Sequence, residues 1–321
     1  MSASCKICGS AKLHLMHNRV RDGQHAVDCN VWECTDCKIV FLESDITQSQ
    51  LIDYYKEGHF RNAYLPDIKD AASKESQKFY TLKQPLQEKR LSILNDVFKQ
   101  DMEVLDVGCA TAGFLNILKG RVKSVKGIEL YGQHVDFAKE SLGLNVEMKD
   151  IEDISDEKFD AICTFHVLEH IPEPLYFLTK LYKMLKDGGL LIIEVPNVDD
   201  PLISIYDVGA YKNFYFMKPH LYYYGESSME FVLRKVGFQQ IEFRSYQHYG
   251  LMNHLCWSLT GETCTATKVG GGGMDFPEKY MDSPDLGTVA PFFEDMNKKY
   301  KKMIEDMRKT DTLLVTARKG K

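Results

Sequence analysis

The sequence has no apolar run approaching the ~18 residues that a helix needs to span a bilayer, which excludes a helical membrane protein. Its first twenty residues carry Cys5, Lys6, Lys12 and Arg19 and lack the apolar core of a secretory signal, so a cytoplasmic protein is expected. Excess positive charge is missing too. The 40 Lys and Arg stand against 46 Asp and Glu, a net charge of −6, and such a chain has no overall field to collect nucleic-acid phosphates. A nucleic-acid partner would need a local basic patch and is not expected. Compositional bias is equally absent. The 44% apolar and 27% charged residues lie in the ordinary globular range and exclude a disordered or collagen-like chain. The 321 residues suffice for roughly two domains and for a core that hides about three quarters of the extended chain's surface.

What is present begins with nine cysteines, four of them in two pairs, Cys5-x-x-Cys8 and Cys34-x-x-Cys37. Two thiolates at this spacing grip one tetrahedral ion from a tight knuckle, and a second knuckle completes a Zn(Cys)4 site. Cys5, Cys8, Cys34 and Cys37 are therefore the expected ligands of a structural Zn2+ in a zinc ribbon over residues 1–45, with strands within Val27 to Phe41. The ion would stand in for the core that so short a segment cannot build. Four thiolates leave it no open position for catalysis.

Residues 46–65 are aromatic and polar, with Tyr54, Tyr55, His59, Phe60 and Tyr64. Over residues 67–99, Phe79, Leu82, Leu86, Leu91, Leu94 and Phe98 recur every three or four positions and predict a helix that Pro85 kinks or divides. Residues 46–100 are expected to be a helical connector and a lid over the site that follows, with Tyr55 in contact with whatever that site holds.

From Glu103 onward short apolar runs alternate with amphipathic stretches, the pattern of strands and helices in a mainly parallel sheet. Val104-Leu105-Asp106-Val107 is a buried-strand signal that runs into Gly108-Cys109-Ala110-Thr111-Ala112-Gly113-Phe114 and then an apolar helix. Such a strand, small-residue turn and helix let the backbone approach a ligand closely. The next strand, Val122 to Ile128, ends in Glu129, where a carboxylate can accept hydrogen bonds from ribose hydroxyls. Asn145 to Met148 ends at Asp150-Ile151, and Phe159 to Phe165 ends at His166. Polar residues thus collect at the carboxyl ends of successive strands, where open α/β sheets bind ligands.

Glu103 to Phe114, Gly127-Ile128-Glu129, Phe159-Asp160, His166-Val167-Leu168-Glu169-His170-Ile171-Pro172 and the strand Leu190 to Pro196, preceded by a helix ending Leu185-Lys186-Asp187-Gly188-Gly189, together resemble the class I S-adenosylmethionine-dependent methyltransferases. The likeness covers about residues 100–245 and a closing strand, Asp311 to Arg318. It implies an α/β Rossmann-like fold of seven strands with the last one antiparallel, and a core over residues 101–198. It departs from the usual G-x-G-x-G, because Ala110 and Ala112 hold two Gly positions, and the turn lacks the dinucleotide G-x-G-x-x-G. The resemblance implies that Asp106, Gly108, Ala110, Gly113 and Phe114 shape the methionine end of S-adenosylmethionine. It implies that Glu129 holds the ribose, Leu130 covers the adenine, and Asp150 with Ile151 binds and flanks it. His166 would face the sulfonium, and S-adenosylhomocysteine would be the product. The alternative reading of Asp150 is a helix cap or turn carboxylate.

His220, in Pro219-His220-Leu221-Tyr222 ahead of a capped helix ending at Gly237-Phe238, is similar to a segment of zinc-ribbon methyltransferases in sugar and surface-polysaccharide pathways. That resemblance implies His220 as general base, suited by an imidazole that titrates near neutrality, with His170, Tyr222 and His166 as helpers. It also implies a small-molecule acceptor, a sugar derivative, in an acceptor region over residues 199–321 with an insertion at 248–310. The aromatics Tyr206, Tyr211, Phe214, Tyr215 and Phe216, and then His248, Asn253 and Trp257, are expected near it. The alternative is an RNA- or protein-modifying methyltransferase whose ribbon grips a macromolecule; the mixed charge of residues 1–45 speaks against it.

Overall fold

The computed structural model of the protein describes residues 4–64, 72–154, 157–263 and 286–320. The N-terminal cysteine pairs bracket a hairpin of β1 (Leu13–Asp22) and β2 (His25–Cys34), in which Asp22 pairs with His25. Its two-residue loop is Gly23-Gln24, and Gly23 has a φ of 61°, the left-handed backbone that the primed turns of two-residue hairpins require at their first central position. The β1 arm lies outside the strands expected from Val27 to Phe41. The Asp-Gly pair was the signal for it.

Strand β3 (Val40–Leu42) pairs with β2 on one side and with β9 (Tyr222–Tyr223) on the other, Val40 opposite Tyr223 and Phe41 opposite Tyr222. The ribbon sheet is thus completed by a strand from the far half of the chain. Cys5, Ile7, Cys34 and Ile39 accordingly fall in one buried cluster with Ile171, Tyr222, Met229 and Val232. This corrects the expectation of a short segment without a core: it shares the core of the α/β unit.

Helices α1 (Gln48–Lys56), α2 (His59–Tyr64) and α3 (Ala72–Ile93) form the connector. Thr47 and Gln50 close a capping box at the start of α1. Helix α3 continues through Pro85 undivided; Pro85 is exposed, where the carbonyl it leaves without a partner can meet water.

The main sheet has the order β10-β11-β8-β7-β4-β5-β6. Its parallel part comprises β4 (Glu103–Val107), β5 (Ser124–Glu129), β6 (Val146–Met148), β7 (Phe159–Phe165) and β8 (Leu185–Pro196), connected through α4 (Gly113–Leu118), α5 (Gly132–Glu140) and α6 (Pro174–Met184). Strand β11 (Thr312–Arg318) is antiparallel to β8 and to β10 (Gln239–Phe243). Ile162, Leu191, Ile193 and Leu313 are fully buried in this sheet, as strands covered on both faces should be. The helix expected to end at Gly189 instead stops at Met184. A register irregularity between Phe159 and Ala161 lets Leu185 join the ladder before Leu190 resumes it.

After β8 come α7 (Pro201–Ser204), α8 (Gly209–Tyr215), β9 and α9 (Glu226–Val236), and between β10 and β11 lie α10 (Leu251–Thr260) and α11 (Leu286–Asp306). Tyr300 and Ile304 of α11 are buried, whereas Met303 and Met307 are about half exposed. The run Gly270 to Gly273 lies outside the described residues. No described helix is long and apolar enough to cross a membrane.

Candidate functional site

The order of the sheet reverses at β4, with β5 on one side and β7 on the other, and a cavity of about 450 Å³ opens at the carboxyl ends of these strands. One wall is the turn after β4. Gly108, Ala110 and Ala112 all take left-handed φ, at 73°, 47° and 56°, so two alanines stand where glycine is favoured, at about 1 kcal/mol each. The turn is pinned to the tip of β5. The N–H groups of Gly108 and Cys109 donate to Ile128 O at 2.9 and 3.1 Å, and that of Ala110 donates to Glu129 Oε2 at 2.9 Å. The other oxygen of Glu129 accepts from Leu130 and Tyr131 N–H.

Glu129, Leu130, Asp150 and Ile151 line the same end of the cavity. Asp150 is both a wall residue and a cap: it accepts from Glu152 N–H, and burial raises its pKa. Asp106 is 2% exposed, and its Oδ1 has no partner among the described residues. Burial pushes its pKa to about 8 against the pull of Arg90, with Glu129 adding to the rise. Gly113 is buried at the start of α4 and is not part of the cavity wall.

The middle of the cavity is ionic, and sequence reasoning missed it. Arg90, from α3, donates Nε to both oxygens of Glu194 at 3.0 Å and Nη1 to Gln87. Its guanidinium lies 4.4 Å above the Phe165 ring. Glu194 also meets His166 Nε2 at 3.1 Å, and His166 Nδ1 meets Glu169 at 3.2 Å. Burial opposes ionisation of Glu194, but Arg90 and His166 outweigh it and hold its pKa well down. Burial likewise disfavours charge on His166, yet its bonds to Glu169 and Glu194 raise its pKa to about 9. With both nitrogens committed and φ at 57°, His166 is a fixed cation of the wall and has no nitrogen to spare as a proton acceptor. The signal available was Glu194 itself, a charge inside an otherwise apolar strand, which demands a partner.

At the opposite end His170 and His220 face each other, ring centroids 4.6 Å apart. His170 Nδ1 lies 2.7 Å from Tyr55 OH and 2.8 Å from Pro219 O. Tyr55 and Phe60 meet the His170 ring edge-on. His220 Nδ1 has no partner among the described residues. Burial, and then His170, His166 and Arg21, press the His220 pKa well below the usual range.

Of the sequence candidates, the structure brings Tyr55, Asp106, Gly108, Ala110, Phe114, Glu129, Leu130, Asp150, Ile151, His166, His170 and His220 to one cavity. Tyr222 is not brought there. Its side chain turns toward the cysteine cluster, and its hydroxyl donates to Pro172 O at 3.2 Å. The expected acceptor contacts in the insertion are also elsewhere. Trp257 packs on Tyr211 and Phe214 at 5.2 Å, Asn253 is buried, and the His248 N–H donates to Asp311. Phe216 is buried against Tyr223. None of these lines the cavity, because the return strand β11 and helix α8 claim them for packing.

The four cysteines converge as well. Cys5 Sγ lies 3.6 Å from Cys37 Sγ and Cys8 Sγ 3.5 Å from Cys34 Sγ, all four within 4.8 Å. A tetrahedral ion with bonds of about 2.3 Å sets its sulfurs about 3.8 Å apart, whereas a disulfide needs about 2.05 Å. Gly9 and Lys38, each just after a knuckle, are left-handed and donate back to Cys5 O and Cys34 O.

A mostly parallel seven-stranded sheet with a cavity at its switch point and an acidic second strand tip is the Rossmann-like methyltransferase fold. A family model described as a methyltransferase domain matches residues 76–242, and the chain belongs to that family. It is 37% identical over 123 residues, 35% of this chain and 36% of the relative, to a mitochondrial ubiquinone biosynthesis O-methyltransferase of Candida albicans. It is 29% identical over 145 residues to a ubiquinone biosynthesis O-methyltransferase of Rickettsia conorii, covering 43% and 48% of the two chains. The matched part of the chain spans between a third and a half of the length of these relatives. Among solved structures, a SAM dependent methyltransferase from Archaeoglobus fulgidus has a TM-score of 0.47 at 20% identity, covering 74% of this chain and 94% of that one.

Proposed function

We propose that the protein transfers the methyl group of S-adenosylmethionine to an oxygen atom of a small molecule. The observation that carries this is the single cavity whose two ends differ in kind: carboxylates and backbone turns at Glu129, Asp150 and Gly108, imidazoles at His170 and His220. Adenosine would lie against Leu130 and Ile151, and the methionine end beside Asp106. Methyl transfer is an in-line displacement, and holding acceptor and methyl close and aligned lowers its barrier. His220, whose Nδ1 has no partner among the described residues, would take the acceptor's proton, and His170 would orient it. Both relatives are O-methyltransferases, which favours oxygen as the atom methylated.

The Tyr55, Phe60 and Ile171 side chains suit an acceptor with an apolar ring face. A sugar derivative remains a second acceptor class, since aromatic rings such as Tyr55 and Phe60 also meet the apolar faces of sugars. The converged Cys5, Cys8, Cys34 and Cys37 thiols suit a structural Zn2+. A mass screen of phenols, nucleotide sugars and sugar phosphates for a 14-dalton gain tests the acceptor class. Calorimetry with S-adenosylhomocysteine tests the cofactor, and absence of binding overturns the proposal.

A further inference from the structure

Next to the proposed methyl position stands a set of side chains that general-base chemistry does not exhaust. Glu169, His170 and His220 each place a ligand atom within 4.8 Å of the others. All three line the cavity. Glu169 is 1% exposed, yet its Oε2 has no partner among the described residues, and neither has His220 Nδ1. Buried polar atoms without partners are costly and call for an occupant.

The surroundings are those of a metal ligand set. His170 Nδ1 sits 2.8 Å from Pro219 O, so an N–H there donates to the carbonyl and leaves the Nε2 lone pair toward Glu169, 4.0 Å away. Metal-ligating histidines are held in this way. Glu169 Oε1 is itself steadied by His166. Leu221 N–H donates to Glu169 O at 2.8 Å, which ties the segment carrying His220 to the turn carrying the other two. Bonds of about 2.1 Å would draw the three atoms in to about 3.0–3.4 Å, a movement of about 1 Å by side chains on short loops. Two imidazoles and one carboxylate on one wall leave the cavity side open, unlike the closed four-thiolate cluster.

We infer that Glu169, His170 and His220 form an open site for a divalent transition-metal cation, which holds the acceptor's oxygen beside the methyl group. This rests on the methyl-transfer proposal and, whenever the ion is bound, replaces the base role of His220 by coordination. The ion lowers the pKa of the acceptor hydroxyl, whose proton leaves to water. An oxygen lone pair then forms the C–O bond as the C–S bond breaks, and neutral S-adenosylhomocysteine departs.

The test is a titration of the full-length chain, its cysteine site loaded with zinc, with Mn2+ followed by electron paramagnetic resonance. One equivalent should bind, weakened at least about tenfold in Glu169→Gln and in His220→Asn. S-adenosylhomocysteine calorimetry on each variant certifies folding. A wild type that binds no Mn2+, or one whose Mn2+ affinity is the same in both site variants, overturns the inference. Failure of wild type to bind S-adenosylhomocysteine while Mn2+ still binds would instead strike the methyl-transfer proposal alone.

Discussion

The two ends of the cavity are made differently. The end proposed for the cofactor is built by backbone: Gly108, Ala110, Leu130 and Tyr131 offer main-chain groups, and Glu129 ties the turn after β4 to the tip of β5. These groups lie within a short stretch of chain, between residues 106 and 151, with α3 packed over them through Phe79 on His134. The end proposed for the acceptor is built by side chains from three separate places, Tyr55 in α1, Glu169 and His170 after β7, and His220 before β9. A local motif can specify the first. The second exists only once the sheet has folded.

If that division is right, substitutions at the two ends should separate affinity from turnover. The largest expected effect is at the acceptor end: His220→Gln should cut kcat by about 10²–10⁴-fold with S-adenosylhomocysteine affinity intact, and full activity would remove the role given to it. Between the ends, Arg90→Leu leaves Glu194 buried without its cation and should lower stability in urea by about 3–5 kcal/mol; a loss below 1 kcal/mol would show that the ionic bridge holds nothing.

Asp106 gives a pH test of the cofactor end. Its pKa is raised in the folded protein to about 8, so it contributes stability that is fully present below about pH 4 and is lost as the pH rises through 8. Asp106→Asn should remove about 1.4 kcal/mol per pH unit of that decline from the unfolding free energy across this window. Identical slopes in the two proteins would reject it. Glu129→Ala should weaken S-adenosylhomocysteine by more than about tenfold, or 1.4 kcal/mol, without lowering affinity for an acceptor; the reverse pattern would exchange the two ends. The smallest effect is Ala112→Gly, which relieves a left-handed φ of 56° and should stabilise by about 1 kcal/mol.

The same contrast explains what the sequence made legible. Strands β4 and β7 lie where the apolar runs placed them, and Glu129 and Asp150 sit at strand tips because apolar runs end in polar residues there. The paired cysteines announced their convergence by spacing alone. Arg90 and Glu194 are 104 positions apart, and nothing local joins them. Tyr222 was misplaced for a simpler reason. It sits two residues after His220, but its strand pairs with β3 and turns it away from the cavity. The aromatic stretch from Tyr206 to Phe216 has a composition that suits a ligand and a core equally; the core took Tyr211 and Phe216, while Tyr206 and Phe214 stay 41% and 44% exposed away from the cavity.

The pairing of Val40 and Phe41 with Tyr223 and Tyr222 also bears on how the molecule can be cut. Trimming the chain ahead of the connector would strip β9 of its neighbour and bare Ile171, Met229 and Val232 to solvent, leaving a sticky face and a raw strand edge. The catalytic half should therefore resist preparation as a truncated fragment and collect in inclusion bodies.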